Sequence, residues 1–151
     1  MSKTLIVTGA SRGIGAAVAE LGGARGWRVV VNYVRDEISA QKVVDTIKAA
    51  GGEAAAIQGD VSHAEDVQYL FDTAQSRFGP IGALVNNAGI LRPRTHFVDI
   101  TLDRWNEVFS TNVVGYFLCA REAARRMSTR TGGSGGAIVN LSSMAAVLGA
   151  P

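Results

Sequence analysis

The first fifteen residues, Met1 to Gly15, read MSKTLIVTGASRGIG. A short apolar run, Leu5-Ile6-Val7, gives way at once to Gly9, Gly13 and Gly15, so a buried strand ends in a turn built on bare backbone. Ile14, Ala17, Val18 and Leu21 then recur at helical spacing, and Gly26 supplies a stop. In a strand, glycine turn and helix in that order, backbone N–H groups can approach a phosphate closely, and the helix dipole favours its negative charge. The same pattern also serves as a tight turn that packs a helix against a strand, so the remainder of the chain has to decide. The spacing is Gly9-x-x-x-Gly13-x-Gly15 with Thr8 before it, a variant of the common Gly-x-Gly-x-x-Gly arrangement.

Working outward, β-branched runs alternate with longer segments of helical period. Strands are predicted at Thr4 to Thr8, Arg28 to Asn32, Ala54 to Gln58, Ala83 to Asn86 and Ala137 to Leu141. A second helix is predicted over Asp36 to Ala50, with Ile38, Val43, Val44 and Ile47 inward and Asp36 as a cap or first-turn residue. Ser62 and Glu65 offer a capping box for a third helix running to about Phe78. Thr101 can cap a long fourth helix to about Met127, with Leu102, Trp105, Val108, Phe109 and Val113 on one face. The segment TRTGGSGG, Thr129 to Gly136, reads as a flexible loop. The fold class is therefore α/β, a doubly wound, Rossmann-like parallel sheet. In such sheets ligands bind beyond the carboxyl ends of the strands, where Gly9 to Gly15, Tyr33 to Arg35, Asp60-Val61, Asn86 to Gly89 and Ser142-Ser143 fall.

Length and composition narrow the function. At 151 residues one domain is expected, and 47% hydrophobic with 19% charged residues fits a packed globular chain. The net charge is +2, and basic residues cluster only at Arg121, Arg125 and Arg126, so nucleic acid is not an expected partner. One cysteine, Cys119, excludes an internal disulfide and a cysteine-based zinc site, reads as a small core residue, and fits a reducing cytoplasm; no metal is expected. Neither a signal-peptide pattern nor an apolar run of bilayer length is present, so no membrane association is expected.

Five segments occur in order: TGASRGIG, GDV at Gly59 to Val61, NNAG at Asn86 to Gly89, TNVVG at Thr111 to Gly115, and IVNLSS at Ile138 to Ser143. Together they closely resemble the short-chain dehydrogenase/reductase family over the whole chain. The resemblance implies that the loop Gly9, Ser11, Arg12, Gly13, Ile14 and Gly15 holds a cofactor pyrophosphate. It also implies that Asp60, with Val61, contacts the adenine, and that Asn87, Ala88 and Gly89 stabilise the sheet beside the cofactor. An acidic residue about 20 positions after the glycines would accept from a ribose 2′-hydroxyl, whereas a 2′-phosphate wants arginine. Tyr33 stands near that position, with Arg12 in the glycine loop and Arg35 after the second strand, so NADP(H) is the expected cofactor and NAD(H) the alternative.

Carbonyl reduction needs hydride from the cofactor, a positioned proton donor and a donor to the developing oxyanion. By resemblance, Ser143 matches the family's catalytic serine, beside Ser142, and Asn112 the asparagine of its proton relay. The family's Tyr-x-x-x-Lys pair is absent: at the matching position after Tyr33, Tyr69 and Tyr116 stand Glu37, Thr73 and Ala120. By resemblance that tyrosine would lie a few residues past Pro151, so the chain reads as a truncated dinucleotide-binding domain over 1–151, its sheet incomplete on the C-terminal side. The long fourth helix would leave an apolar face that the family buries in a homo-oligomer. The expected activity is an oxidoreductase interconverting a small-molecule carbonyl and a secondary alcohol, with this chain as its cofactor-binding portion. The alternative is a non-catalytic nucleotide-binding or interaction module.

Overall fold

A computed structural model describes residues 3–149, so the expected chain break at Pro151 lies outside the described residues. Five strands form one parallel sheet: β1 (Thr4–Val7), β2 (Arg28–Tyr33), β3 (Glu53–Gln58), β4 (Ile81–Asn86) and β5 (Ala137–Asn140), in the order β3-β2-β1-β4-β5. Helices connect them: α1 (Gly13–Ala24), α2 (Glu37–Ala49), α3 (Ala64–Phe78), α4 (Leu102–Phe109), α5 (Gly115–Met127) and the short α6 (Ala145–Leu148). The doubly wound α/β class expected from the sequence is what the chain adopts.

Strand alternation divides the core between the two faces of the sheet. Ile6, Val30, Ile57 and Leu84 point to the face covered by α3 and α5, where Val67, Leu70, Phe71, Leu118, Ala123 and Cys119 pack. Leu5, Val7, Val29, Val31 and Val85 point to the opposite face, under Ala19 of α1 and Ala40, Val43, Val44 and Ile47 of α2. Asp36 caps α2 by accepting from the Ser39 N–H at 3.0 Å, and Thr101 caps α4 by accepting from the Arg104 N–H at 3.2 Å, both as expected.

Several local expectations are corrected. Ile38 is 73% exposed, and the inward face of α2 begins instead at Ala40. Ile14 and Leu21 are also exposed, because α1 approaches the sheet through its small residues Gly15, Ala19, Gly22 and Gly23. The capping box at Ser62 does not form: α3 starts at Ala64 after His63, which makes no side-chain cap bond, and the Ser62 hydroxyl is engaged elsewhere. The fourth helix is continuous to Met127 but is wound as a π-helix over Ser110–Val114. The loop after α5 is held rather than free. It opens with a 3₁₀ turn at Thr129–Thr131, Thr131 Oγ1 donates to the Arg125 carbonyl, and Lys3 Nζ donates to the carbonyls of Ser134 and Gly135.

The expected uncovered face of the fourth helix is present: Leu102, Trp105, Phe109, Val113 and Phe117 are exposed, and Trp105 stacks on Phe109. Strand β5 is exposed along its length. In the basic cluster Arg121, Arg125 and Arg126 all pair with the buried Glu122, and Arg126, the most buried of the three, also with Asp72 of α3, while Arg125 stays exposed.

Candidate functional site

Because the sheet is all parallel, the carboxyl ends of its strands share one edge, and the order reverses between β1 and β4. Thr8 to Arg12 leave β1 there, and Asn87 to Gly89 leave β4 beside them. Thr8 Oγ1 accepts the N–H groups of Asn87 and Ala88, each at 3.0 Å, while Asn87 Nδ2 donates to the carbonyls of Thr8 at 2.8 Å and Gly9 at 3.0 Å. The glycine loop is thus clamped onto the NNAG turn.

That clamp explains two glycines. Gly9 has φ +60°, and a Cβ on it would lie 2.8 Å from the Ala88 Cα. A Cβ on Gly15 would lie 2.4 Å from Asn87 Nδ2 and 2.8 Å from the Gly9 carbonyl. Above Gly13 the space is open, with nothing within 4 Å of where its Cβ would be. Arg12, the N-cap of α1, makes no side-chain cap bond, and the first backbone bond into the helix is Ala16 N–H to the Arg12 carbonyl. Among the described residues no protein acceptor meets the N–H groups of Gly13, Ile14 and Gly15, so the start of α1 presents unpaired donors and a positive dipole end beneath open space.

The other expected residues fall along the same edge. Tyr33 ends β2 and is only 8% exposed, packed with the α2 core; burial, then the Glu37 carboxylate, pushes its hydroxyl pKa above the ordinary tyrosine value. Arg35 and Arg12 are exposed on the two neighbouring loops. The Asp36 carboxyl is held below the ordinary aspartate range, chiefly by its bond from the Ser39 N–H, with Arg12 and Lys42 adding attraction. Asp60 lines a groove of about 540 Å³ together with Tyr33, Val34 and Gly59. Val61 is buried against Gly115, and Ala88 is buried while Gly89 stays exposed.

Asn112 sits in the π segment, and its side chain embraces one residue of the chain after NNAG. Oδ1 accepts the Ile90 N–H at 2.8 Å and Nδ2 donates to the Ile90 carbonyl at 3.0 Å. The extra residue per turn of a π-helix is what lets this side chain reach the loop. Ser143, after β5, is exposed, and its hydroxyl accepts the Ala145 N–H at 3.1 Å.

Sequence reasoning missed Asn32. Its Oδ1 accepts the Gly9 N–H at 3.2 Å, and its Nδ2 donates to the carbonyls of Ile57 and Gly59, so one amide ties the ends of β1, β2 and β3 together. The signal was a single polar residue inside the β-branched run RVVVNY. Asn86 was placed in the NNAG segment without a role of its own. It is buried at the end of β4 and donates to Asn140 Oδ1 at 2.9 Å and to the Tyr116 carbonyl at 3.2 Å, joining β4, β5 and α5. Among the described residues no group of three His, Cys, Asp or Glu side chains could hold a metal ion, and no helix is long and apolar enough to cross a membrane.

Fold and site together define a doubly wound α/β protein with unpaired backbone N–H groups at its topological switch point. The family model described as short chain dehydrogenase matches residues 3–151, and the chain belongs to the short-chain dehydrogenase/reductase family of oxidoreductases. It is 49% identical over 146 residues to the uncharacterized oxidoreductase YgfF of Escherichia coli K12, covering 97% of this chain and 59% of that one. It is 41% identical over 150 residues to a 3-oxoacyl-[acyl-carrier-protein] reductase of Synechocystis, covering 99% and 59%. Among solved structures, an acetoin dehydrogenase from Enterobacter cloacae superposes with TM-score 0.86 at 37% identity, covering 95% of this chain and 56% of that one. A second, from Sinorhizobium meliloti 1021, gives 0.91 at 35% identity, covering 100% and 58%. The chain therefore spans about three fifths of the length of these relatives.

Proposed function

We propose that this chain is the cofactor-binding portion of an NADP(H)-dependent oxidoreductase that interconverts a small-molecule carbonyl and a secondary alcohol. The observation that carries the reading is the set of unpaired N–H groups at Gly13, Ile14 and Gly15, held at the switch point by the Thr8–Asn87 clamp. That cradle fits a pyrophosphate, and Arg12 and Arg35 stand exposed on the loops that follow β1 and β2, where a 2′-phosphate would be met by charge. Asp60 and Val61 are proposed to contact the adenine, and Asn87, Ala88 and Gly89 to stabilise the sheet beside the cofactor, as the bonds from Asn87 and Ala88 to Thr8 support. A bound nicotinamide supplies or accepts hydride.

The remaining chemistry falls to the protein. The Ser143 hydroxyl is exposed and able to donate to a carbonyl oxygen. Asn112 braces the Ile90 backbone and so fixes the wall that follows NNAG. The proton donor is not among the described tyrosines: Tyr33 ends β2, Tyr69 lies on α3 and Tyr116 on α5, and none is followed at the helical i+4 position by lysine. That last observation also favours a second reading, a nucleotide-binding module without turnover. The complete oxidoreductase is proposed to be a cytoplasmic homo-oligomer, which the exposed stripe Leu102, Trp105, Phe109, Val113 and Phe117 supports.

Titrating the 151-residue chain with NADPH and NADH, following cofactor fluorescence, tests the proposal. Saturable binding with NADPH the tighter ligand is expected; absence of binding by both cofactors overturns it.

A further inference from the structure

Ser62 is the residue whose expected helix-capping role the structure does not support. Its hydroxyl donates to Asp60 Oδ1 at 2.7 Å, and its N–H donates to the same oxygen at 3.0 Å. On the other side, Asp66, in the first turn of α3, accepts the Asp60 N–H on Oδ2 at 2.8 Å. Asp60 is therefore fixed twice, at its backbone by Asp66 and at one carboxylate oxygen by Ser62. Among the described residues no donor reaches the Asp60 Oδ2 atom, and Asp60 lines the groove with Val34 and Gly59.

A carboxylate anchored through one oxygen and unpartnered at the other is ready to accept a hydrogen bond from a ligand donor that enters the groove. At the C6 position of a purine, adenine presents an amine, whereas hypoxanthine presents a carbonyl oxygen that a carboxylate repels. We propose that Ser62 is a positioning residue for base recognition: by holding Asp60 Oδ1 it aims Oδ2 at the C6 amine and makes the groove selective for adenine over hypoxanthine. This rests on the dinucleotide reading above.

The test compares NADPH with its hypoxanthine analogue, deamino-NADPH, on the parent chain, Ser62→Ala and Ser62→Thr. The parent is expected to bind NADPH about 10-fold more tightly than the analogue. Ser62→Ala removes the hydroxyl but keeps the backbone N–H on Asp60 Oδ1, so it should weaken NADPH by roughly 3- to 10-fold, the net effect of one ordinary hydrogen bond, and change the analogue by less than about 2-fold. Ser62→Thr, which keeps the hydroxyl, should restore the parent preference. Equal losses for both ligands, no loss for either, or a parent that does not distinguish them overturns the role of Ser62 while leaving cofactor binding standing. A parent that binds neither ligand overturns the dinucleotide reading and this inference with it. Urea midpoints of the three proteins, expected to agree closely, show that the comparison is made on equally folded chains.

Discussion

Thr8 and Asn87 hold each other reciprocally: the Thr8 hydroxyl accepts the Asn87 N–H at 3.0 Å, and the Asn87 amide donates to the Thr8 carbonyl at 2.8 Å. The hydroxyl also accepts the Ala88 N–H at 3.0 Å, and Thr8 is buried. Thr8→Val keeps the shape and strands two backbone donors, so it should cost about 1 to 3 kcal/mol in unfolding free energy and loosen the glycine loop. Thr8→Ser, which keeps the acceptor, should cost clearly less. Urea denaturation of the two variants checks the difference; equal losses would assign the effect to packing.

This pair also marks where sequence reading stops. Val29, Val31, Val43, Val44 and Ile47 declared the strands and helix they belong to, because a buried apolar residue at period 2 or 3.6 has one place to go. The edge carrying the site was legible for the same reason, since parallel strands align their carboxyl ends. What the sequence did not show were the polar ties. Ser62 has the spacing of a capping box, but a neighbouring carboxylate, Asp60, outcompetes the helix end for its hydroxyl. Asn32 looks like an interruption of a strand until the ends of β1 and β3 come to lie on either side of it. The π winding around Asn112 accompanies a pairing with Ile90, 22 residues earlier in the chain, that no local propensity encodes.

Cofactor choice is proposed to lie with Arg12 and Arg35. Both are exposed, and the Asp36 carboxylate draws on Arg12 in the free protein. Arg12→Ala and Arg35→Ala are each expected to weaken NADPH by about 10-fold or more and to leave NADH within about 2-fold, the loss of a charge-assisted contact of roughly 1.5 to 3 kcal/mol. Asp36→Asn, which removes a negative charge near Arg12, should move the preference further toward NADPH. Parallel titrations with the two cofactors decide; equal affinity in the parent would remove the argument.

Cys119 is fully buried between the sheet and α5, and burial, with the Glu122 carboxylate adding to it, pushes its thiol up to about 12. A thiol whose folded value is raised stabilises the fold below the ordinary thiol range, and this contribution is lost as pH climbs from about 9 toward 12. At pH 8 the native chain should therefore react with a disulfide reagent far more slowly than the same chain in urea. Cys119→Ser, which cannot ionise there, should lose less stability between pH 9 and 11 than the parent. Rapid labelling of the native chain at pH 8 would contradict the packing described.

The last prediction concerns turnover by the 151-residue chain. Ser143 can donate to a carbonyl oxygen, but a hydroxyl without an adjacent base does not deliver a proton near neutral pH, and general acid catalysis commonly contributes about a hundred- to ten-thousand-fold. Among the described tyrosines, burial moves Tyr116 upward from its ordinary value, and burial together with Glu37 moves Tyr33 the same way, the wrong direction for an acid working near neutrality. Asn112 spends both ends of its amide on Ile90. We therefore expect no measurable NADPH oxidation with simple ketones or aldehydes, alongside saturable NADPH binding in the same preparation. A family member that carries the Tyr-x-x-x-Lys pair, assayed beside it, should turn over. Robust turnover by the 151-residue chain, abolished in Ser143→Ala, would place an unrecognised proton donor beside Ser143 and overturn the assignment of this chain as a cofactor-binding portion.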